Sequence, residues 1–145
     1  MTASGPPQPA RPRASSCPDG RATTGQIGEQ AAAAHFERLG FSLLARNART
    51  RAGEIDLIAW DGTTLVFVEV KARMVRAAGP SAIPLDPLLA LRPRQRVRVR
   101  KAAVAWLGEA RANRPRARTL RFDAVGVLLD RGGRLVALEH LEDAW

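Results

Sequence analysis

A chain of 145 residues, 46% hydrophobic and 26% charged, has room for one domain with one core and lies outside the composition of a fully disordered chain. Its single cysteine, Cys17, excludes an internal disulfide or a Cys-built zinc site and points to a reducing compartment. The net charge of +9 is local, because residues 92–118 hold ten basic residues against one acid, Glu109, and the remainder sums to zero. An excess of this kind neutralises phosphates, the sequence-independent part of nucleic-acid affinity, with a solvated helix face as the alternative.

The N-terminal stretch lacks the apolar core of a secretory signal, and no run is long enough to span a bilayer, so a cytoplasmic protein is expected. Residues 1–24 are rich in Pro, Ser and Arg without apolar periodicity and read as a flexible tail, leaving residues 25–145 as a single domain. From Gln26 to Leu39 the residues Ile27, Ala31, Ala34, Phe36 and Leu39 recur at helical spacing, and Gly40 stops the helix. Three strands follow over Phe41–Asn47, Glu54–Trp60 and Thr64–Lys71, the last two joined antiparallel by the tight-turn dipeptide Asp61-Gly62. Residues 74–91 contain four prolines or glycines and read as a loop with one helical turn at Pro87–Leu91. A second helix is expected over Arg92–Ala112, opened by Pro93 and burying Val99, Ala103, Trp106 and Ala110. A final hairpin, Arg121–Leu129 with Arg134–Leu138, turns at Gly132-Gly133.

In GEIDLIAW, Glu54 and Asp56 are two apart on a strand, so both leave one face with α-carbons about 7 Å apart, while Ile55 and Leu57 face the core. In LVFVEVKAR, Glu69 and Lys71 share a face with Phe67, opposite Val66, Val68 and Val70. Counting outward from the Asp61-Gly62 turn brings Asp56 level with Phe67–Glu69. Asp56, Glu69 and Lys71 thus form one cluster, and its carboxylates suit the hard cations Mg²⁺ or Mn²⁺. An ion there would polarise a phosphodiester and lower the pKa of a bound water, with Lys71 orienting that water or offsetting charge on the phosphoryl oxygens. Of 23 basic residues 21 are arginine, so a lysine at position 71 suggests a need for a compact or titratable amine. An ordinary exposed Glu–Lys pair is the bland alternative.

Gly28-Glu29-x-x-Ala32, Arg46-Asn47, GEIDLIA at 53–59, VFVEVKAR at 66–73 and RFDAVGV at 121–127 occur in order. This series resembles the bacterial YraN-type protein family over residues 25–145, and that family is similar to archaeal Holliday-junction resolvases within the PD-(D/E)XK nuclease superfamily. The resemblance implies an α/β restriction-endonuclease-like core, a mixed central sheet flanked by helices. It implies catalytic roles for Asp56, Glu69, Lys71 and Glu29, with Asp56, Glu69 and Glu29 as Mg²⁺ or Mn²⁺ ligands and Glu54 as an auxiliary. Glu29 reads equally well as a solvated helix residue. The expected nucleic-acid contacts are Arg73, Arg94, Gln95, Arg96, Arg98, Arg100 and Lys101. Relatives open the second helix with Lys or Gln, and here Gln95 or Arg94 would fill that place. Asp123 matches the family block or is structural. His35 and His140, single and widely spaced, are assigned no function.

The expected activity is therefore metal-dependent endonucleolytic or resolvase-like hydrolysis of DNA. The alternative is a noncatalytic nucleic-acid-binding protein on the same fold, and a third reading is an adaptor for RNA or an acidic protein. A homodimer is implied by the resolvase-like relatives alone.

Overall fold

Thr23 starts the first helix, α1 (Thr24–Arg38), through a capping box: its side chain accepts from the Gln26 N–H at 3.2 Å, and its own N–H donates to the Gln26 carboxamide at 2.8 Å. The computed structural model describes residues 21–75, 91–109 and 114–145. The tail expected over 1–24 lies outside the described residues up to residue 20, and its last residue, Thr24, already belongs to α1. The helix ends at Gly40, whose φ of 91° suits only glycine, as the sequence predicts. Phe36 is buried and Ile27 and Ala31 pack partly buried against the core, as expected, but Gly28, Ala32 and Ala33 are buried as well and Leu39 is 51% exposed. Small residues face the sheet because the helix lies close against it.

The strands are β1 (Ser42–Thr50), β2 (Gly53–Trp60), β3 (Thr64–Met74), β4 (Thr119–Leu129) and β5 (Leu135–Leu141). They lie side by side in chain order, antiparallel except for the parallel pair β3 and β4. Both predicted hairpins form. Asp61 secures the first, its carboxylate accepting from the Thr63 and Thr64 N–H groups at 2.8 and 2.7 Å. β1, β3 and β5 each run three residues beyond the predicted ends, because pairing with a neighbour rather than local composition sets strand length.

The second helix, α2 (Pro93–Gly108), begins at the predicted proline but stops short of Ala112; Glu109 leaves the helix in an extended conformation. Residues 76–90 and 110–113 lie outside the described residues, and with them the expected turn at Pro87. The helices cover opposite faces of the sheet. On one, Ala32, Ala33 and Phe36 of α1 pack on Leu57, Val66, Val68, Val70 and Val125. On the other, Ala102, Ala103 and Trp106 of α2 pack on Ile55, Ile58, Leu65 and Phe67. Each fully buried Leu, Ile, Val or Phe among them contributes about 2 kcal/mol of transfer free energy. The result is a mixed α/β sandwich of one five-stranded sheet between two helices. Among the described residues no helix is long and apolar enough to cross a membrane.

Candidate active site

The β2–β3 ladder pairs Trp60 with Leu65 and continues to Leu57 with Val68, so Asp56 stands at the level of Glu69, within the window the sequence allows. There the ladder ends. Instead of a backbone partner, the Val70 N–H donates to the Asp56 carboxylate at 2.7 Å, so the side chain fills the gap between the strands.

The regular alternation expected of β2 fails at this level. Ile55 and Leu57 are both buried, as expected, but Ile55 packs with Ile58 on the α2 face and Leu57 on the α1 face. β1 switches in step: Ala45 and Ala48, paired with Ile58 and Ile55, both pack towards α2. Between them lies Asn47 with a φ of 48°, a left-handed conformation in mid-strand. The two-strand ribbon therefore changes face between Leu57 and Ile55, and Asp56 is the residue at the turn.

Glu69 is 5% exposed and follows Phe67 on the α2 face, as alternation predicts. Its Oε1 accepts from the Lys71 Nζ at 2.7 Å. Glu29 reaches in from α1 and accepts from the Asn47 amide at 2.9 Å. An open pocket of about 400 Å³ is lined by Glu29, Glu54, Asp56, Glu69, Lys71 and Arg98, together with Gly25, Gly53 and Val70. Two glycines bring its walls together. A Cβ on Gly28 would stand 2.4 Å from the Ala72 Cβ, so α1 sits on β3 at a distance no side chain allows. On the opposite wall Gly53, at φ 144°, lies where a Cβ would meet the Arg98 Cγ at 3.2 Å.

Burial is the main reason that the Asp56 carboxyl is pushed up to about 7, with the neighbouring Glu69 charge adding to it and the Val70 N–H opposing it. A carboxylate pair of this kind gains from a nearby cation. Among the described residues, no group of three or more His, Cys, Asp or Glu side chains stands ready to hold a metal ion. The donors nonetheless fit a hard ion in kind, since Mg²⁺ takes one or two carboxylates and keeps several waters. Glu29 enters the pocket tied to Asn47, and Glu54 is exposed at its rim with Arg49 at 3.7 Å, a surface pair of little energetic weight.

The expected nucleic-acid contacts divide into two sets. Arg94, Arg98 and Lys101 of α2 and Arg73 of β3 are exposed, and Arg98 lines the pocket. The other three also make contacts within the fold: Gln95 accepts from the Arg92 N–H at 3.1 Å, Arg96 Nε donates to the Leu91 carbonyl at 3.2 Å, and Arg100, although exposed, carries its guanidinium 5.6 Å over the Phe122 ring. Gln95 is thus a helix-capping residue, a role that its place at the third helical position allows.

Asp123 is structural. It is fully buried, held by Arg121 through two contacts of 2.8 Å and by the Asp143 N–H at 3.0 Å. His140 Nε2 lies 2.8 Å from the same carboxylate, and His140 Nδ1 lies 3.0 Å from His35 Nε2. With His140 donating to Asp123, its other nitrogen accepts from His35. Burial first, then His140 and Arg38, lowers the His35 pKa. The two histidines that sequence separates by 105 residues therefore form one chain joining α1, β5 and β4.

Sequence reasoning gave no role to Asn47, Gly28 or Gly53. The usable signal was Asn47 itself, an asparagine at the end of the predicted strand, a residue type that is depleted in strands and tolerates positive φ.

The family model for the uncharacterised protein family UPF0102 matches residues 28–127. Curated proteins named UPF0102 protein are similar along most of their length. The one from Acidothermus cellulolyticus is 42% identical over 74% of this chain and 83% of its own. Those from Geotalea daltonii and Pelotomaculum thermopropionicum are 40% and 39% identical, covering 85% and 88% of this chain and 89% and 98% of theirs. The matched span runs from the glycine that seats α1 on the sheet into β4, the strand that carries the buried Asp123, and the chain belongs to the UPF0102 family, the YraN-type family that its motifs resemble.

Proposed function

We propose that this protein is a magnesium- or manganese-dependent endonuclease of the PD-(D/E)XK type, acting on DNA in the cytoplasm. The observation that carries this reading is the convergence of Asp56, Glu69 and Lys71 in one pocket with Glu29 beside them and Arg98 of the basic helix on its wall. Asp56 and Glu69 are the ligands for the ion, with Glu29 beside them. Such an ion, when bound, supplies polarisation of a phosphodiester oxygen and a water acidic enough to ionise near neutrality. Lys71 presents its ammonium where charge builds on the phosphoryl oxygens, and Glu69 holds it there. Arg98 receives a flanking phosphate, and Arg94 and Lys101 extend that contact along the exposed side of α2.

Purified protein with Mg²⁺ or Mn²⁺ is expected to nick plasmid or branched DNA, and Asp56→Ala to abolish nicking while leaving DNA binding nearly intact. Equal nicking by the variant would assign the activity to a contaminant and end the reading.

A second reading, nucleic-acid binding without catalysis on the same fold, is favoured by the tight Glu69–Lys71 pair, which already neutralises one ligand. It predicts salt-sensitive binding, no cleavage with either metal and no metal-dependent rise in melting temperature.

A further inference from the structure

Asn47 occupies the crossing point of the site. Among the described non-glycine residues only Asn47 and Asp143 have positive φ, and Asn47 alone does so within a strand. The flanking pairs Arg46 with Leu57 and Ala48 with Ile55 bring Asn47 level with Asp56 across the β1–β2 ladder. The change of face in both strands falls at that same level. A left-handed residue in a strand rotates the chain beyond it, and Asn is the non-glycine residue that takes this conformation most readily. Its side chain meanwhile leaves the sheet and donates to the Glu29 carboxylate at 2.9 Å. One residue thus bears on two of the pocket acids that lie off β3: it stands level with Asp56 across the ribbon, and its amide donates to Glu29.

We propose that Asn47 is the positioning residue of this site, its backbone aiming Asp56 at β3 and its amide holding Glu29 in the pocket. The inference rests on the metal-site reading above. It divides the residue into two separable functions. The backbone function belongs to any residue comfortable at positive φ, so Asn47→Gly retains it. The amide function is lost in Asn47→Gly and belongs to no apolar residue. Asn47→Ala loses both.

The test is Mn²⁺ binding to the full chain by calorimetry, beside melting of the metal-free protein. Asn47→Gly is expected to melt like the parent and to bind Mn²⁺ about tenfold more weakly, the lower end of what removing an outer-shell hydrogen bond costs a metal site. Asn47→Ala is expected to melt at lower temperature and to bind more weakly still. If the amide acts through Glu29, Glu29→Gln and the double variant Glu29→Gln with Asn47→Gly bind Mn²⁺ equally. Unchanged affinity in Asn47→Gly, or fully additive losses in the double variant, would overturn the assignment. Asp56→Asn separates this inference from the reading beneath it: if that variant binds Mn²⁺ as the parent does, the metal-site reading itself fails, whatever Asn47 does.

Discussion

Replacing Asp56 with asparagine exchanges an ionisable group for a neutral one of the same shape, and the carboxamide oxygen can still accept from the Val70 N–H. In the folded protein burial and the Glu69 charge push the Asp56 carboxyl from 3.8 up to about 7. The folded state therefore holds the proton more tightly than the unfolded chain, and stability is lost as pH rises from the unfolded value through about 7. A rise of about three units corresponds to at most about 4 kcal/mol, lost in full only above the folded value. Urea denaturation in EDTA from pH 4.5 to 8.5 measures the difference between Asp56→Asn and the parent, in which the titration of His35 and other groups remote from Asp56 cancels. The variant is expected to lie within about 1 kcal/mol of the parent at the acid end and to gain steadily above it, becoming the more stable protein by several kcal/mol near pH 8. A difference that is flat with pH, or that favours the parent at pH 8, would refute the claim that burial and Glu69 strain the ionised carboxylate.

Gly28→Ala drives its new methyl group into Ala72 and is expected to cost about 1–3 kcal/mol, with Ala72→Gly restoring most of the loss in the double variant. Failure of that rescue in urea denaturation would remove the close helix–strand approach as the reason for the glycine. Arg98→Ala is expected to weaken DNA binding and lower the slope of log affinity against log salt by about 1 without changing the melting temperature. An unaltered slope would take Arg98 out of the phosphate contact. Asp123→Ala leaves the Arg121 guanidinium short of its main partner and is expected to cost about 3–5 kcal/mol by chemical denaturation. A cost below about 1 kcal/mol would mean that the charged network is incidental to joining β4 and β5.

The elements that sequence revealed are those whose signal is local. Asp61-Gly62 and Gly132-Gly133 state their turns in two residues, Pro93 marks a helix start, and the E-V-K triplet carries its own alternation, so Glu69 and Lys71 were legible as neighbours. What escaped depends on contacts between distant residues. Strict alternation predicts Ile55 and Leu57 on one face, and their separation falls level with the left-handed Asn47 on another strand. The His35–His140 contact joins residues whose individual sequence contexts say nothing of each other. Gln95 is expected at the nucleic-acid face through the family resemblance alone, and its position at the third helical residue also lets it cap α2. Leu39 reads as the end of an apolar stripe, yet Gly28, two alanines and Phe36 do the packing, with α1 closest to the sheet where Gly28 meets Ala72.

Strand order that follows chain order has a consequence for how the molecule assembles. Asp56 and Glu69 ride on one hairpin and come together once its turn closes, an event of short sequence separation. Arg98 and the other basic residues of α2 belong to the excursion between β3 and β4, and β4 must find an eleven-pair parallel register across that excursion. Such non-local pairing bears the larger loop-closure entropy and is the slower event. The acidic half of the pocket is thus ready before the basic half arrives, and changes within residues 75–118 should alter how fast the protein folds more than where its carboxylates stand.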